Sequence, residues 1–339
     1  MFVDSKNIVY QYNGGFSDLG RKIKVSERTT FNIYSITKTF TAASVIKLAQ
    51  EGKVDLDSPI SLYLPNFPYP LSPTIRQTLQ HIAGFPNPNP LSWIHRVEEH
   101  EVFDEQAFIR NVTQENSDLD FVPGEKFYYS NIGYLLLGEL VRNVSGKPFH
   151  EYVQSEIIYP LSISNKNEIS FIIKDPENHA HGHIGRWNWL NLFLGWFIDR
   201  NKYLDPEVNG WVPFKNLYVN GNAYGGLVGN AGGLAVYLQA MLNSTEPFNS
   251  KMLNLLWTIG ATNDGEPTRT GLAWFHGTLN GNSYFSHSGG AGGHYCEIRI
   301  YPEAKRASVI MTNNTGISDQ RYLDRIDHFF LSGVDRHGS

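Results

Sequence analysis

Residues 31–40, FNIYSITKTF, decide how the rest of this sequence is interpreted, because they pair a serine with a lysine at helical spacing. Ser35 and Lys38 are three residues apart, so on a helix they lie on the same face. A serine hydroxyl is a weak nucleophile near neutral pH and needs a neighbouring base to take its proton. The pattern alone is not specific, since the chain carries a second pair, Ser44 and Lys47.

The position of each serine in its helix separates the two pairs. At about 100° per residue, Ser35 and Ser44 point to opposite sides of one helix and cannot serve the same cleft. Ser35 lies at the predicted helix start, where unpaired amides and the positive end of the dipole favour an alkoxide. Ser44 lies in the middle, where we expect its hydroxyl to bond to a carbonyl of the preceding turn. For Ser35, a purely structural role as an N-cap stays open on this motif alone.

The composition narrows the class of protein. The 339 residues are 41% hydrophobic and 18% charged, with a net charge of −5, as in an ordinary globular protein. No run of lysine or arginine offers the concentrated basic surface that nucleic-acid binding needs, so we expect no nucleic-acid partner. The single cysteine, Cys296, excludes an internal disulfide.

Strand patterns occur near both ends of the sequence. Residues 3–12 are predicted to form a strand, and residues 295–301 alternate between apolar and polar positions. Residues 307–312 follow as a second, more buried strand, and residues 320–331 are predicted to form an amphipathic helix. Alternation places Cys296, Ile298 and Ile300 on one face of the first of these C-terminal strands. Helical periodicity places Tyr322, Ile326 and Phe330 on the inner side of the helix.

The order of these elements predicts an α+β fold. We expect an antiparallel sheet built from the N- and C-terminal segments and flanked by helices, with an inserted, mainly helical region. In terms of domains, residues 1–57 and 225–339 are assigned to the sheet domain. Residues 58–224 are assigned to a mainly helical domain with an aromatic-rich insertion.

No segment of the sequence predicts a membrane span. The longest apolar stretch, residues 187–198, is too short to cross a bilayer and contains two asparagines. No secretory signal is recognisable at the start, so we expect a soluble protein. Its compartment is periplasmic or extracytoplasmic if a leader was removed, and cytoplasmic otherwise.

Two further segments contain candidate partners for Ser35. The first is PGEKFYYSNIGYLLLG, residues 123–138, and the second is SHSGGAGG, residues 286–293. With these flanking residues, the order S-x-x-K, Y-x-N and H-S-G resembles the class C β-lactamase, D-alanyl-D-alanine peptidase and serine esterase superfamily. The short motifs also occur elsewhere by chance, as in Tyr218-Val219-Asn220, but the flanking residues and their order are specific. The resemblance runs from about residue 8 to residue 313 and implies a penicillin-binding-protein-like serine hydrolase.

The three motifs supply what acyl transfer requires. Ser35 would attack a carbonyl carbon, and Lys38, buried beside it, would be neutral or share a proton because desolvation lowers a lysine pKa. Tyr129 is the candidate general base and acid, with its phenolate favoured by nearby cationic groups. Asn131 would orient Lys38 and the substrate carbonyl through its amide.

The glycine-rich segment is assigned to substrate and oxyanion binding. Gly289 and Gly290 would let a substrate backbone approach the strand closely, since neither carries a Cβ. The resemblance puts the two oxyanion donors at the backbone N–H groups of Ser35 and Gly290. His287 and Ser288 precede these glycines and are assigned to the same substrate-binding strand. The resemblance implies no cofactor and no metal.

The sequence departs from the family pattern at two places. His287 stands where class C β-lactamases carry lysine, and it looks more like the peptidase and esterase branches. A histidine is mostly neutral at pH 7 and cannot fix a substrate carboxylate with a permanent charge, so we expect weak β-lactam hydrolysis. At Asn230 a predicted helix begins without the acidic residue that relatives often have, which bears on local stability.

Three other segments were weighed as functional candidates. Residues 179–183, HAHGH, suggest a metal site, but no second cysteine or suitably spaced carboxylate supplies further ligands, so a polar surface strand is favoured. Residues 187–197 are either core or an apolar wall or lid over an acyl pocket, which would favour hydrophobic esters. His81 resembles a family histidine near a turn and is assigned a structural role.

We therefore expect a serine hydrolase that forms an acyl-enzyme on Ser35, with an ester or a D-amino-acid amide as substrate. The alternatives are a penicillin-binding D-alanyl-D-alanine carboxypeptidase or weak class C-type β-lactamase, and a catalytically inactive ligand-binding member of the family. The expected partners are small-molecule esters, peptides or β-lactams. No G-x-S-x-G motif occurs, which argues against an α/β-hydrolase. The oligomeric state does not follow from the sequence.

Overall fold

The computed structural model describes residues 1–164, 166–314 and 322–331. Within these ranges the chain forms a mixed structure of short and long helices and antiparallel sheets. The strands are β1 (Phe2–Asp4), β2 (Ile8–Tyr10), β3 (Phe16–Asp18), β4 (Ile23–Lys24), β5 (Phe31–Asn32), β6 (Ile94–Arg96), β7 (Ile169–Ser170), β8 (His183–Gly185), β9 (Trp211–Pro213), β10 (Leu217–Val219), β11 (Val228–Gly229), β12 (Phe275–Leu279), β13 (Asn282–Ala291), β14 (His294–Tyr301) and β15 (Arg306–Thr312).

The helices are concentrated between the strands of the two chain ends. They are α1 (Thr37–Gln50), α2 (Ile75–Leu79), α3 (Glu105–Glu115), α4 (Asn131–Ser145), α5 (Phe149–Val153), α6 (Trp189–Phe193), α7 (Arg200–Tyr203), α8 (Asn222–Gly225), α9 (Ala231–Asn243), α10 (Ser250–Trp257) and α11 (Tyr322–Leu331). Short 3-10 segments join them at Tyr34–Ile36, Ile60–Tyr63, Pro90–Ser92, Val97–Val102, Tyr159–Leu161 and Leu194–Trp196, with a π-helical turn at Gln154–Ile158.

The main sheet is built from both ends of the chain, which confirms the predicted fold class. Its six strands run in the order β12-β13-β14-β15-β1-β2. Strand β1 lies antiparallel to β15, with Phe2 opposite Ser308. All eight residues of β14 are buried because α9 packs on the sheet and α11 packs against β15.

The two faces of β14 have different chemistry. Cys296, Ile298 and Ile300 share one face, as alternation predicts, and belong to the main hydrophobic core. The opposite face is also buried, and it carries an ion pair in which Arg299 Nε lies 2.6 Å from a carboxylate oxygen of Glu297. This polar face is the one that the C-terminal helix covers, since Arg299 also pairs with Asp324 of α11.

The inner side of α11 differs from the expected one. Leu323, Asp327 and Leu331 are the buried residues, whereas Tyr322, Ile326 and Phe330 are only half-buried. The helix is rotated by about one residue because Asp327 is drawn inward, where it accepts hydrogen bonds from the hydroxyls of Tyr301 and Ser308. Its predicted start at Gln320 lies outside the described residues.

Helix α1, which follows the nucleophile motif, is buried along nearly its whole length. It contacts α4, α8 and α10, and its side chains belong to the largest hydrophobic cluster. The hydroxyl of Ser44 donates to the carbonyl of Phe40 at 2.9 Å, as expected for a serine in mid-helix. The helix stops before Gly52, which has the left-handed backbone (φ +72°) that such an ending requires.

The division into two domains stays a prediction. The largest hydrophobic cluster contains residues from both assigned parts, for example Ile36, Leu140 and Ile298. Short strands, β6 to β10, also occur inside the region that was assigned as mainly helical. Across the described residues, no helix is both long enough and apolar enough to cross a membrane.

Asn230 replaces the missing acidic residue at the start of α9. Its side-chain oxygen accepts from the amides of Gly233 and Glu168, at 2.8 and 3.0 Å. Its amide nitrogen donates to the carbonyls of Glu27 and Lys166. The departure from the family pattern is therefore compensated locally by a buried N-cap.

Candidate active site

Ser35 lies in the 3-10 turn Tyr34–Ile36 that leads directly into α1. No side-chain hydrogen bond caps either element, so the Ser35 hydroxyl does not serve as an N-cap. The preceding residue, Tyr34, has a left-handed backbone (φ +45°), which is rare for an aromatic residue and costs about 1–3 kcal/mol. The surrounding structure therefore holds the serine in a strained turn at the edge of a cavity.

Lys38 is fully buried beside Ser35. Its Nζ lies 3.1 Å from Ser35 Oγ and 2.7 Å from the carbonyl oxygen of Tyr224. Burial lowers the pKa of Lys38 well below its ordinary value. The rings of Tyr129, Tyr134 and Tyr224, with centroids 5.0, 5.5 and 5.3 Å from Nζ, moderate this shift because aromatic faces attract a cation. Desolvation nevertheless favours the neutral amine, which is the form that can accept a proton from Ser35.

Tyr129 is hydrogen-bonded to Ser35 through its side chain. Burial raises the pKa of Tyr129 above its ordinary value, and the bond to Ser35 only partly opposes that shift. Desolvation therefore favours the protonated phenol in the resting site, whereas the sequence led us to expect the phenolate. Burial therefore acts in the same sense on both groups, favouring a neutral phenol at Tyr129 and a neutral amine at Lys38.

His81 packs directly on Tyr129. The two rings are stacked with centroids 4.3 Å apart. His81 is buried and has a left-handed backbone (φ +59°). Its Nδ1 accepts the Ser130 amide at 3.1 Å, and its carbonyl accepts the Tyr128 amide at 2.8 Å. Because Nδ1 is an acceptor, the ring proton is on Nε2, and burial lowers the pKa of His81 so that the ring is neutral.

Asn131 is the first residue of α4 and lines the cavity in front of Ser35. Its backbone N–H donates to the side chain of Asn87 at 3.0 Å, and Ser130 caps the helix. The Oδ1 atom is buried without a hydrogen-bond partner in the described part of the chain. Lys38 is thus held by a backbone carbonyl rather than by this oxygen, which is left to accept from a ligand.

His287, on β13, is buried behind the cavity. Its Nδ1 donates to the carbonyl of Ser288 at 2.7 Å, so Nε2 carries a lone pair. That Nε2 has no hydrogen-bond partner within the described ranges. Burial, with a smaller effect of Lys38, lowers the pKa of His287 to about 3, so the ring is neutral at pH 7. It lies 6.4 Å from the ring of Tyr129, centroid to centroid.

The glycines of β13 have separate roles. A Cβ at Gly289 would lie 2.2 Å from the carbonyl oxygen of Ile33 and 2.8 Å from the Ser35 nitrogen, so glycine is required there for the strand to reach the nucleophile turn. A Cβ at Gly290 would lie 3.2 Å from the His294 carbonyl oxygen and 3.8 Å from the Tyr295 ring, so the space there is less restricted, and Gly290 lines the cavity. Side chains alternate along a strand, so the side chain of Ser288 faces away from that of His287. The backbone carbonyl of Ser288, which accepts from His287 Nδ1, is the part of Ser288 that contacts the site.

A cavity of about 620 Å³ opens in front of these residues. Of the predicted site residues, Ser35, Tyr129, Asn131 and Gly290 line it, whereas Lys38, His287, Ser288 and Gly289 lie behind its wall. No Asp, Glu, Lys or Arg belongs to the lining formed by the described residues. Its apolar wall consists of Pro90, Leu91, Ile94, Ile184, Trp189, Leu190, Leu194, Ile198, Phe214, Leu217 and Val219.

A larger cavity, of about 810 Å³, lies elsewhere, against the N-terminal strands. None of the predicted site residues lines it, whereas Asn314 lines both cavities. The chemistry is therefore assigned to the smaller cavity, which contains the serine and its partners.

Residues 187–198, which we call the aromatic strap, form part of the wall of the site cavity. Leu194 and Ile198 are buried in a small hydrophobic cluster and also line the cavity. Most of the aromatic side chains of the strap are exposed instead. The core interpretation is therefore wrong for these aromatic residues, and the strap is a cavity wall with an apolar outer surface.

The histidines of residues 179–183 do not form a metal site in the described structure. No group of three or more His, Cys, Asp or Glu side chains there could hold a metal ion. The side chain of His179 bonds to Thr30 at 3.0 Å, and Nδ1 of His181 donates to the Phe214 carbonyl at 3.1 Å. These hydrogen bonds connect residues 179–183 to other segments of the fold and therefore have a structural role.

Sequence reasoning missed three contributors to the site. The carbonyl of Tyr224 holds Lys38, the side chain of Asn87 positions Asn131, and the left-handed turn at Tyr34 presents Ser35. Of these three, Tyr34 lies within the opening motif, residues 31–40, whereas Asn87 and Tyr224 lie in none of the quoted motifs. His81 was noticed as a structural residue, and its stacking on Tyr129 places it in contact with a catalytic candidate.

Comparison with protein families gives one match across the chain. The Beta-lactamase family model matches residues 1–330. Among curated proteins, protein flp of Staphylococcus aureus (strain N315) is 26% identical over 314 residues, which cover 88% of this chain and 56% of that protein. The chain thus spans little more than half the length of this relative.

Two solved structures share the fold. The octameric penicillin-binding protein homologue from Pyrococcus abyssi has a TM-score of 0.73 at 24% identity, covering 98% of this chain and 72% of that chain. The D-amino acid amidase from Ochrobactrum anthropi SV3 complexed with L-phenylalanine amide has a TM-score of 0.76 at 19% identity, covering 98% and 93%. At these identities the two structures establish the architecture alone.

Proposed function

Because this chain belongs to the Beta-lactamase family, whose members include serine hydrolases, we propose that it hydrolyses an uncharged ester through an acyl-enzyme on Ser35. The observation that carries the choice of substrate is the cavity lining, which contains no charged side chain among the described residues. A neutral acyl group with apolar substituents matches this wall, since burying a charge there without a partner is unfavourable.

The proposed reaction starts with proton transfer from Ser35 to Lys38. The neutral amine of Lys38, 3.1 Å from Ser35 Oγ, accepts the proton as the oxygen attacks the ester carbonyl. The backbone N–H groups of Ser35 and Gly290 bind the oxyanion, and losing one such donor typically costs about 3 kcal/mol of transition-state stabilisation. This step leaves a positive charge on Lys38 among three tyrosine rings, whose faces offset part of the cost of burying that charge.

Tyr129 acts as the acid for the leaving group. Its phenol keeps its proton in the resting site because burial raises its pKa, so it can protonate the departing alkoxide. The proton then held by Lys38 returns to the phenolate, which restores both groups. In deacylation the two groups keep these roles: a water molecule attacks the acyl carbon and gives its proton to Lys38, and the departing Ser35 oxygen takes a proton from Tyr129. The proton on Lys38 then returns to the phenolate, which restores the resting site. Asn131 Oδ1 is available to accept from the bound substrate.

The same lining argues against the alternative substrates. A penicillin or a D-alanyl-D-alanine terminus brings a carboxylate, and a D-amino-acid amide brings an ammonium group. In the described part of the chain the lining offers neither charge a partner, and His287 is neutral because burial lowers its pKa to about 3. We therefore place the D-alanyl-D-alanine carboxypeptidase, the weak β-lactamase and the D-amino-acid amidase after the esterase.

Intact-mass spectrometry after treatment with a fluorophosphonate and with a penicillin tests the acyl-enzyme. We expect one adduct, on Ser35, with the fluorophosphonate and little with the penicillin. Ser35→Ala should lose turnover of p-nitrophenyl esters by a factor on the order of 10⁶, as for a nucleophile acting in a concerted unit. Ser44→Ala, in the second serine–lysine pair, is the matched control and should keep full activity.

Three results would refute the proposal. An adduct elsewhere, or unchanged turnover in Ser35→Ala, would remove the nucleophile and leave the ligand-binding alternative. Faster hydrolysis of nitrocefin or of D-Ala-D-Ala peptides than of neutral esters would keep the nucleophile and overturn the substrate class.

A further inference from the structure

The outer surface of the aromatic strap exposes an unusual set of side chains. Trp187, Trp189 and Trp196 are 80, 71 and 81% exposed. Large aromatic residues are usually among the most buried, and single exposed ones are common, but a contiguous group on a folded segment marks an interaction site. The exposed apolar residues of the strap are Trp187, Trp189, Leu192, Phe193, Trp196 and Phe197.

The strap is a braced element rather than a loose loop. Asn191 donates to the Arg186 carbonyl at 3.0 Å and accepts from Arg200 at 2.8 and 3.0 Å through its backbone and side-chain oxygens. Leu194 and Ile198 anchor its inner side in a hydrophobic cluster. The tryptophans are therefore exposed on a segment whose backbone is fixed by hydrogen bonds and buried side chains.

The charges in and around the strap indicate a binding partner whose surface carries no net charge. Residues 187–198 contain no Asp, Glu, Lys or Arg. Two cations near its ends are paired with carboxylates: Arg186 with Glu207 at 3.3 Å, and Lys202 with Glu99 at 2.6 Å. Arg200, which is half-buried, donates instead to the two oxygens of Asn191. An anionic surface would be attracted by unpaired basic residues, so the paired rim fits a zwitterionic surface instead.

We propose that the outer face of the aromatic strap docks onto a zwitterionic phospholipid surface. Tryptophan and phenylalanine are the side chains that settle at the boundary between headgroups and acyl chains, because their rings tolerate both environments. Trp189 lines the site cavity and is also largely exposed, so it lies at the cavity rim. Docking through this face would therefore bring the opening of the cavity to the lipid. The binding does not depend on the hydrolase reaction and goes beyond it.

Flotation with phosphatidylcholine vesicles tests the docking directly. We expect the wild-type protein to float with the vesicles, with a blue shift of its tryptophan fluorescence. The double variant Trp187→Ser/Trp196→Ser, at positions that do not line the cavity, should lower the partition coefficient by at least about tenfold, since two interfacial anchors are lost. Raising the salt from about 0.05 to 0.5 M should change binding by less than about twofold, because no net charge is involved.

The matched control is Leu62→Ser/Tyr159→Ser, which removes two exposed apolar side chains, 71 and 69% exposed, outside the strap. It should bind vesicles like the wild type. Hydrolysis of a small water-soluble ester and the melting temperature should be unchanged in both double variants, which shows that each is folded.

Four outcomes would overturn the proposal. Wild-type protein that stays with the buffer, or equal flotation of the strap variant, would exclude lipid docking. Binding that needs anionic lipid and disappears in salt would assign the attraction to basic residues instead. A dimer in sedimentation that the strap variant converts to a monomer, without vesicle binding, would make a second copy of this chain the occupant.

Discussion

Lys38 gains its proposed role from its environment more than from its spacing. The motif predicts its closeness to Ser35, and the structure adds the aromatic rings and the Tyr224 carbonyl that determine its protonation. Lys47 has the same spacing from Ser44, yet it is not buried and lies 3.5 Å from a carboxylate oxygen of Glu156. A serine three residues before a lysine is therefore informative only where burial also removes the charge.

We predict that Lys38→Arg loses esterase activity at every pH. An arginine side chain cannot be deprotonated in a protein, so the base is lost, which costs about 10²–10⁴-fold in kcat/KM. In the wild type, kcat/KM should rise with pH through the pKa of Lys38, which burial holds well below the ordinary lysine value. A pH–rate profile of both proteins measures this. Lys47→Arg is the control, and an active Lys38→Arg would exclude Lys38 as the base.

His81 is predicted to position Tyr129. His81→Asn keeps a residue type that tolerates the left-handed backbone and an oxygen that can accept the Ser130 amide, while it removes the stacked ring. We expect kcat to fall by about 10- to 100-fold through misplacement of the phenol, with KM little changed. Fluorophosphonate should still label Ser35. A lower melting temperature with unchanged kcat would show instead that His81 only stabilises the fold.

Motif reading at the residue scale succeeds where the chemistry is local. Ser35 and Lys38 lie on one turn, so their closeness is predictable from spacing alone. Gly289 is different, because the reason for its glycine is the carbonyl of Ile33, which is far away in sequence. The protonation of Tyr129 was also beyond the sequence, since it depends on burial by separate segments.

At the scale of elements, α11 shows why amphipathic periodicity can be off by one residue. The hydropathy pattern pointed Tyr322, Ile326 and Phe330 inward, because apolar residues normally face the core. The structure buries the Asp327 carboxylate instead, because it accepts hydrogen bonds from the hydroxyls of Tyr301 on β14 and Ser308 on β15. A hydrogen-bonding requirement of the sheet, which the helix sequence does not show, fixes the rotation.

The buried Asp327 leads to a prediction about stability and pH. Burial raises its pKa from 3.8 to about 6, so the folded protein binds this proton more tightly than the unfolded chain. The resulting stabilisation is complete below pH 4 and is lost as the pH rises through about 6, a loss of roughly 3 kcal/mol at 1.36 kcal/mol per pKa unit. Asp327→Asn should remove this loss. Between pH 4 and 8 the free energy of unfolding of the variant should therefore rise relative to that of the wild type.

Urea unfolding at a series of pH values measures the effect of Asp327→Asn. Asp4→Asn is the control of opposite sign, because backbone hydrogen bonds lower the pKa of that exposed carboxyl. A difference between wild type and Asp327→Asn that is independent of pH would mean that Asp327 is ionised with its ordinary pKa.

At the scale of the whole molecule, the site cavity is assembled from segments that lie far apart in sequence. Its wall draws on residues 90–94, 184–198, 214–219 and 290–295. The fold class was predictable because long alternating patterns occur at both chain ends. The cavity could not be predicted, because strands of three residues such as β6, β8 and β10 are too short to show an alternation of apolar and polar residues.

The cavity predicts a dependence on acyl chain length. Val219 lines the wall and is nearly buried, so Val219→Phe should lower kcat/KM for a long-chain p-nitrophenyl ester by at least about tenfold through lost space. The acetate ester should be hydrolysed within about twofold of the wild type, because it does not reach that wall. Val25→Phe, which alters the other cavity, is the control. Equal loss for both esters would show that the acyl chain does not occupy this space.

The pairing of β1 with β15 has a consequence for folding. The two strands are separated by almost the entire chain, with Phe2 opposite Ser308, and β13 approaches Ser35 from a similar distance in sequence. Such long-range pairings form slowly, because a large loop must close before any contact is gained. During synthesis Ser35 is made before β13, the strand that carries the proposed oxyanion donor Gly290. Hydrolytic competence should therefore appear only after the last strands have joined the sheet.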